Sequence, residues 1–162
     1  MIILTRKYFF LFAQIISYIG MSFDLKLVNG DLSIKNGDVA IVQNGDKLVQ
    51  DILKMVGTKR GSNPSFPYIG SEITSALIGT ANSYKFISDI ASEQLKSSLE
   101  LLQKLQKDQL KQNQVVTPHE QLAMIKDLIV QQSSSEPRGY SISFTAISKA
   151  FAQQNIDFTI SP

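Results

Sequence analysis

The dipeptide Asn36-Gly37 is the feature that most restricts the fold of this chain, because it lies between two short segments in which every second residue is apolar. A two-residue hairpin turn whose twist matches that of its strands needs positive φ at both central positions, and Asn followed by Gly allows this at low cost. The apolar residues on either side are Leu32, Ile34, Val39 and Ile41. The pattern predicts a β-hairpin, and the alternation over residues 23–27 predicts a strand before it.

Downstream of the hairpin the apolar residues recur at intervals of three and four, which is the spacing of one helix face. Such a stripe runs over residues 48–56 and stops at Gly57. Pro and Gly punctuate residues 58–70, which predicts an irregular loop, and residues 71–78 can form a short helix. The longest stripe extends from Tyr84 to about Gln112. It predicts a helix that packs on the core, with a coiled-coil contact to a partner helix as the alternative.

The sequence Thr117-Pro118-His119-Glu120 has the order of a helix start, with a capping Thr, Pro at the first helical position and Glu at the third. It predicts a fourth helix that ends near Glu136, because Pro137 lacks an amide hydrogen and disfavours helical geometry in the residue before it. The apolar side of this helix would consist of Leu122, Ile125, Leu128 and Ile129.

Two alternating segments follow and predict two strands joined by a turn within residues 153–155. The first segment places Tyr140, Ile142, Phe144 and Ala146 on one face, and the second carries Ile156, Phe158 and Ile160. No internal repeat and no second domain is predicted. The predicted fold class is α+β, with a small mixed β-sheet packed by helices in one domain that covers residues 21–162.

Residues 1–20 form an apolar N-terminal extension that differs from the rest of the chain. Arg6 and Lys7 precede residues 8–20, which carry no formal charge and are rich in Phe and Ile. The stretch is short for a membrane span of about 20 residues, and it lacks the small-residue cleavage site of a signal peptide. Three interpretations stay open: an apolar helix that docks on the protein or on a partner, an extension upstream of a start at Met21, and a membrane or export element.

The composition restricts the functions that the chain can have. A length of 162 residues, of which 43% are hydrophobic, is enough for one buried core. A net charge of +2 with scattered basic residues argues against a nucleic-acid face. The chain has no Cys and a single His, so the sequence predicts no thiol nucleophile, no metal site and no cofactor. That residue, His119, lies in the predicted helix start, where a solvated position is favoured over the role of a general base.

The tripeptide Glu136-Pro137-Arg138 places two charges directly before an apolar strand. In extended geometry Glu136 and Arg138 project to the same side as Tyr140. An Arg guanidinium pairs best with a carboxylate. The tripeptide is therefore interpreted either as a charge-pairing site for a partner or as a helix stop with an internal ion pair.

The order of these features resembles the baseplate wedge subunit family of contractile phage tails, which has a relative among the baseplate components of type VI secretion systems. The resemblance covers the chain from Met21 onward. It is carried by the hairpin at Asn36-Gly37-Asp38, Gln50 in the following helix, the loop at Gly61, Tyr68-x-Gly70, and Glu136-Pro137-Arg138 before the final strands. The chain departs from the family at Ser62, where an acidic residue is common.

The resemblance implies a structural protein and not an enzyme. It would be a wedge component of the virion tail baseplate, present in the host cytoplasm during assembly, that joins the inner baseplate to the first sheath ring. Glu136, Pro137 and Arg138 would contact the helical core bundle of the other wedge proteins. Exposed sheet edges would accept strands of the tail sheath protein, and the residues expected in this contact are Tyr140, Ile142, Phe144, Ile156, Phe158 and Ile160. Tail tube and hub proteins are further candidate partners, whereas nucleic acid and a stable membrane association are not expected.

Two other functions stay open. The family has at times carried a lysozyme label, and a cell-wall glycoside hydrolase needs a pair of carboxylates, for which Glu72 and Glu136 could be proposed. Nothing in the sequence brings these two residues together. The other alternative is a soluble module that dimerises through the helix at residues 84–112.

Overall fold

The computed structural model describes residues 22–77, 84–133 and 139–160. The predictions for the N-terminal extension and for Glu136-Pro137-Arg138 therefore lie outside the described residues. The described ranges contain three helices and nine strands, and the α+β class is confirmed.

Residues 24–42 form three short antiparallel strand pairs, which we call the three-ladder module. Its strands are β1 (Asp24–Leu25), β2 (Leu27–Val28), β3 (Asp31–Leu32), β4 (Ile34–Lys35), β5 (Asp38–Val39) and β6 (Ile41–Val42). β2 pairs with β3 across Asn29-Gly30, β4 pairs with β5 across Asn36-Gly37, and β1 pairs with β6. Both turns have positive φ at both positions, 53° and 88° in the first and 55° and 84° in the second. The predicted hairpin is confirmed.

A ring of backbone hydrogen bonds joins the three ladders at their centre. The Lys26 amide donates to the Ala40 carbonyl at 2.8 Å, the Ala40 amide to the Ser33 carbonyl at 2.8 Å, and the Ser33 amide to the Lys26 carbonyl at 2.9 Å. These residues are seven positions apart, and Asn-Gly-Asp occurs at residues 29–31 and again at residues 36–38. The module is therefore a short repeat, which corrects the prediction that the chain has none.

The predicted helices of the first two thirds of the chain are confirmed as α1 (Asn44–Gly57), α2 (Ile73–Leu77) and α3 (Tyr84–Lys111). α1 receives no cap from the Gln43 side chain. Instead the carboxylate of Glu120, which is fully buried, accepts from the Asn44 amide at 3.3 Å. None of the helices within the described ranges is long and apolar enough to cross a membrane.

The apolar stripe of α3 lies in the core and not on a free helix face. Its buried residues are Ile87, Ala91, Leu95, Leu99 and Leu102, and they pack in one cluster with residues of α1 and of the C-terminal strands. This burial favours the core-packing interpretation of the helix over a coiled-coil contact.

Gly70 explains how the loop between α1 and α2 closes. Its φ is 112°, and a Cβ at this position would lie 2.4 Å from the Thr58 carbonyl oxygen. The close approach lets the Ser71 amide donate to the Thr58 carbonyl at 2.8 Å, and the Arg60 amide to the Ser71 carbonyl at 2.9 Å. The irregular loop predicted for residues 58–70 is confirmed, and its two ends are held together.

The C-terminal part of the chain is a three-stranded sheet of β7 (Leu122–Gln132), β8 (Tyr140–Ser148) and β9 (Gln153–Ile160), in that order. The fourth helix, predicted after Thr117, is wrong, because a turn forms there and a strand follows. One half of the predicted capping box does form, since the Glu120 carboxylate accepts from the Thr117 amide at 3.2 Å. All pairings between the strands named here are antiparallel, where a mixed sheet was predicted.

Bulges explain why β7 has a helix-like pattern in the sequence. Its pairing with β8 shifts register between Leu122 and Met124 and again between Lys126 and Ile129, and Asp127 has a φ of 54°. An extra residue at a bulge changes the face on which the following side chains lie. The residues that pack on the core are consequently spaced at two and three positions: Leu122, Ile125, Leu128 and Val130.

One face of the sheet packs on α1 and α3. The buried residues on this face include Tyr140, Ile142, Phe144 and Ala146 of β8 and Ile156 of β9, which confirms the predicted alternation. The turn between β8 and β9 lies at residues 149–152 and not within 153–155. The Ser148 amide donates to the Ala152 carbonyl at 2.9 Å, and Gln153 already pairs with Ile147.

Candidate functional site

The residues predicted to accept a sheath strand lie on two strands with different surroundings. Tyr140, Ile142 and Phe144 are part of β8, which pairs with β7 on one side and with β9 on the other. Strand addition needs unpaired backbone groups along an edge. The prediction that these three residues lie on an open edge is therefore corrected.

β9 is an outer strand of the sheet. Among the residues that the structure describes, no strand pairs with its far side, so Ile156, Phe158 and Ile160 do belong to an edge strand. Their side chains pack toward the core. Ile156 is 2% exposed, and the Phe158 ring packs edge-on against the Phe144 ring with the centroids 6.4 Å apart. The strand therefore offers a partner its backbone and its other row of side chains.

The register shows which amides of β9 face outward. The Ser148 amide donates to the Ala152 carbonyl, and hydrogen-bonded pairs recur at every second position of an antiparallel ladder. The ladder with β8 then uses the amides of Gln154, Ile156, Phe158 and Ile160. The amides of the intervening residues point away from β8, and all four of their side chains are exposed: Gln153, Asn155, Asp157 and Thr159.

The opposite edge of the sheet is covered where β7 begins. The Gln106 side chain on α3 accepts from the Leu122 amide at 2.9 Å and donates to the Glu120 carbonyl at 2.8 Å. The Gln103 side chain donates to the Ala123 carbonyl at 2.9 Å. Bulges along β7 further disturb a regular pairing edge. Among the described residues, β9 is consequently the less covered edge of this sheet.

A buried amide side chain fixes the three-ladder module on α1. Gln50 is 9% exposed, and its amide nitrogen donates to the Asp24 carboxylate at 2.9 Å and to the Leu25 carbonyl at 2.8 Å. Its amide oxygen accepts from the Leu27 amide at 2.8 Å. The pattern of residues did not predict this role, although a polar residue inside the apolar stripe of α1 is a signal of a buried hydrogen bond.

A cleft of about 480 Å³ lies beside this junction, between α1, the loop at residues 58–70 and α3. Four charged residues on its wall form two ion pairs, Lys54 with Asp24, and Lys47 with Asp51 at 2.7 Å. Burial raises the pKa of Asp51 by more than the contact with Lys47 lowers it. Burial acts in the same direction on Asp24, but the hydrogen bonds from Lys54 and Gln50 outweigh it, so that the pKa of Asp24 is lowered.

The cleft thus combines a carboxyl group of raised pKa with one of lowered pKa, an arrangement that acid and base residues of hydrolases also show. Structural ion pairs produce such shifts as well.

The structure does not bring the proposed pair Glu72 and Glu136 together, because Glu136 lies outside the described residues. Glu72 is exposed, and its carboxylate lies 3.8 Å from the Arg60 guanidinium. Within residues 22–77, 84–133 and 139–160, no group of three His, Cys, Asp or Glu residues is placed to hold a metal ion.

The fold of this chain also occurs in a solved structure. No family model matches the sequence, and no curated protein matches it. A structure from Geobacter sulfurreducens, described as that of a "putative tail lysozyme", has a TM-score of 0.53 and 13% sequence identity to this chain. The similarity covers 72% of this chain and 88% of the other. At this level of identity it establishes a shared fold, and fold alone does not determine activity.

The ion pair of Asp24 predicts a contribution to stability that depends on pH. Because folding lowers the pKa of Asp24 below its usual value of 3.8, the carboxylate stabilises the fold at pH values above its unfolded pKa. This effect is lost as the pH falls through the folded pKa. Asp24→Asn should therefore lower the free energy of unfolding at neutral pH, by at most about 1 kcal/mol because solvent screens the partly exposed pair. The loss should disappear in acid.

Urea denaturation of both proteins across this pH range measures the difference. Asp31→Asn, at the exposed start of β3, is the control for a change of charge without a buried partner. An equal loss of stability at neutral and acid pH would contradict the assigned role of the Asp24 carboxylate.

Proposed function

We propose that this protein is a structural baseplate component of a contractile tail, and that it links the inner baseplate to the first sheath ring. The observation that carries the proposal is the outer side of β9, where four backbone amides face away from the sheet. The fold shared with a Geobacter protein whose description names a tail supports this setting. The specific role comes from the resemblance of the sequence to baseplate wedge subunits.

Strand addition is the proposed mechanism of sheath attachment. An extended segment of the sheath protein pairs with β9 and satisfies its outward backbone groups, while the alternation of side chains sets the register. A free sheet edge is normally an aggregation risk. The outward row of β9 consists of polar side chains, Gln153, Asn155, Asp157 and Thr159, and a polar edge with a charged residue lowers this risk before assembly.

The second contact in this proposal joins Glu136-Pro137-Arg138 to the core bundle of the other wedge proteins. The tripeptide belongs to the connection between β7 and β8. A hydrogen bond from the Ser133 amide to the Gly139 carbonyl, 2.8 Å long, closes the base of this connection. The described flanks of the connection, Ser133 and Gly139, lie at the end of the sheet where Tyr140 pairs with Ile160. One subunit can therefore bind wedge proteins at that end and a sheath strand along β9.

Proline at an outward amide tests the docking edge. Asp157→Pro removes an amide that the ladder with β8 does not use, and Pro is tolerated at such positions of edge strands. The variant should keep its fold and abolish sheath growth, because an added strand loses a hydrogen bond and meets the proline ring. Electron microscopy of baseplates incubated with purified sheath protein measures sheath growth, and circular dichroism measures the fold.

Two control variants make this test specific. Phe158→Pro removes an amide that the ladder does use, so it should lower the thermal midpoint of the free subunit. Asp157→Ala removes the carboxylate and keeps the amide, so sheath growth should continue. Normal sheath growth on baseplates that carry Asp157→Pro would contradict strand addition at β9.

Replacement of Arg138 tests the second contact. Arg138→Ala removes a guanidinium that can pair bidentately with carboxylates of a partner, and we expect loss of co-purification with the other wedge proteins. The fold should persist, and circular dichroism of the variant measures this. Arg138→Lys keeps the charge without the planar fork and should restore binding only in part. Undiminished complex formation by Arg138→Ala would argue against this contact.

Cell-wall glycoside hydrolysis is the second candidate function, and one observation favours it. Asp24 and Asp51 line the same cleft and have pKa values shifted in opposite directions. The word lysozyme describes the Geobacter protein and not this chain. We favour the structural role because both carboxylates already have partners: Asp51 accepts from Lys47, and Asp24 accepts from Lys54 and Gln50.

A turbidity assay on a cell-wall suspension separates the two functions. We expect the purified protein to clear the suspension no faster than buffer, because its cleft carboxylates are held in ion pairs. A commercial lysozyme serves as the positive control. Clearing by the wild type that is lost in Asp51→Asn or in Glu136→Gln would show that the protein is a hydrolase and overturn the structural assignment.

A further inference from the structure

Phe151 has the highest exposure of the large apolar side chains in the part of the chain that the structure describes, at 86%. It lies at the tip of the hairpin that joins β8 to β9, two positions before β9 begins. Its φ is 60°, in the left-handed region that bulky residues rarely adopt. Exposure of the apolar ring and the left-handed backbone both cost stability. Because so much of the ring is exposed, contacts within the subunit do little to offset these two costs.

In a hairpin loop of this geometry, Gly or Asn is the usual residue at the position that Phe151 occupies. The Phe151 amide donates to the Ser148 carbonyl at 2.9 Å, and the Ser148 amide donates to the Ala152 carbonyl at 2.9 Å. These bonds close a loop of three residues, Lys149, Ala150 and Phe151. In such loops the residue after the turn adopts the left-handed conformation, which Gly and Asn tolerate best. Phe at this position lowers the stability of the free subunit.

The hairpin tip is held firmly by the turn that precedes β7. The Ala150 amide donates to the Pro118 carbonyl at 3.1 Å, and the Lys149 amide donates to the Gln121 carbonyl at 2.9 Å. The Lys149 ammonium also donates to the Gln121 side chain at 2.7 Å. Phe151 is therefore presented on a preorganised loop, and a side chain presented in this way loses little conformational entropy when it binds.

We infer that Phe151 anchors the strand-docking site, by inserting into an apolar pocket of the sheath subunit whose strand pairs with β9. This inference rests on the proposed function. The tip is continuous with the open edge of β9, two positions before Gln153, so a strand that pairs along the whole of β9 ends close to it. The neighbours of Phe151 in the chain are Ala150 and Ala152, which favours an apolar pocket. Buried aromatic side chains are enriched at the centres of protein interfaces.

The test separates recognition from a structural role, because the two predict opposite changes in stability. Phe151→Asn removes the ring and supplies a residue that tolerates positive φ. We expect its thermal midpoint to rise by about 2–4 °C, as relief of backbone strain does in a chain of this size. Its affinity for purified sheath protein of the same tail, measured by biolayer interferometry on full-length subunits, should fall at least tenfold. Phe86→Ala, which removes a half-exposed ring from α3, should leave this affinity unchanged.

Each outcome has a distinct meaning. Weaker binding together with a higher thermal midpoint supports the anchor. Unchanged binding by Phe151→Asn while Asp157→Pro abolishes binding overturns the anchor and leaves strand addition at β9 intact. A lower thermal midpoint assigns Phe151 a structural role and also overturns the anchor. Absence of binding by the wild type overturns the proposed function, and the anchor with it.

Discussion

The double pairing of β8 is the constraint on which the rest of the structure depends. Its backbone bonds to β7 and β9, while Tyr140, Ile142, Phe144 and Ala146 are buried on one face. A strand in this position allows no change of register, because a slip by one residue would move its apolar row to solvent. The register in turn determines which amides of β9 are used inside the subunit and which face outward.

Two polar side chains join the remaining parts of the fold to one another. Gln50 links α1 to the three-ladder module through three hydrogen bonds, and Glu120 links the start of α1 to the turn before β7. Both are buried. Loss of one partner of a buried hydrogen bond costs about 1–3 kcal/mol, so these contacts keep the module, the helix and the sheet in a fixed arrangement although they are distant in sequence.

Elements specified by local chemistry were predictable. The Asn36-Gly37 turn, the three helices up to Lys111 and the alternation of β8 follow from turn residues and apolar spacing.

The strand β7 was not predictable in this way, for two reasons. Its two bulges give Leu122, Ile125 and Leu128 a helical spacing. Residues 117–120 form part of a capping box although they lie in a turn. The outer edge of the sheet was predictable in part: β9 could be identified, but the central position of β8 and the direction of each amide depend on long-range pairing. Gln50 and Phe151 matter through contacts and backbone conformation that no local pattern encodes.

The ring of hydrogen bonds among Lys26, Ser33 and Ala40 has a consequence for how this protein can change over time. Each segment of the ring has a fixed length, and one residue more or fewer would displace an amide from its acceptor and turn the neighbouring side chains to the other face. Residues 26–40 can therefore vary in identity but hardly in number. Insertions and deletions would be confined to places such as the exposed loop at residues 61–68, where a change of length leaves the hydrogen bonds at its base intact.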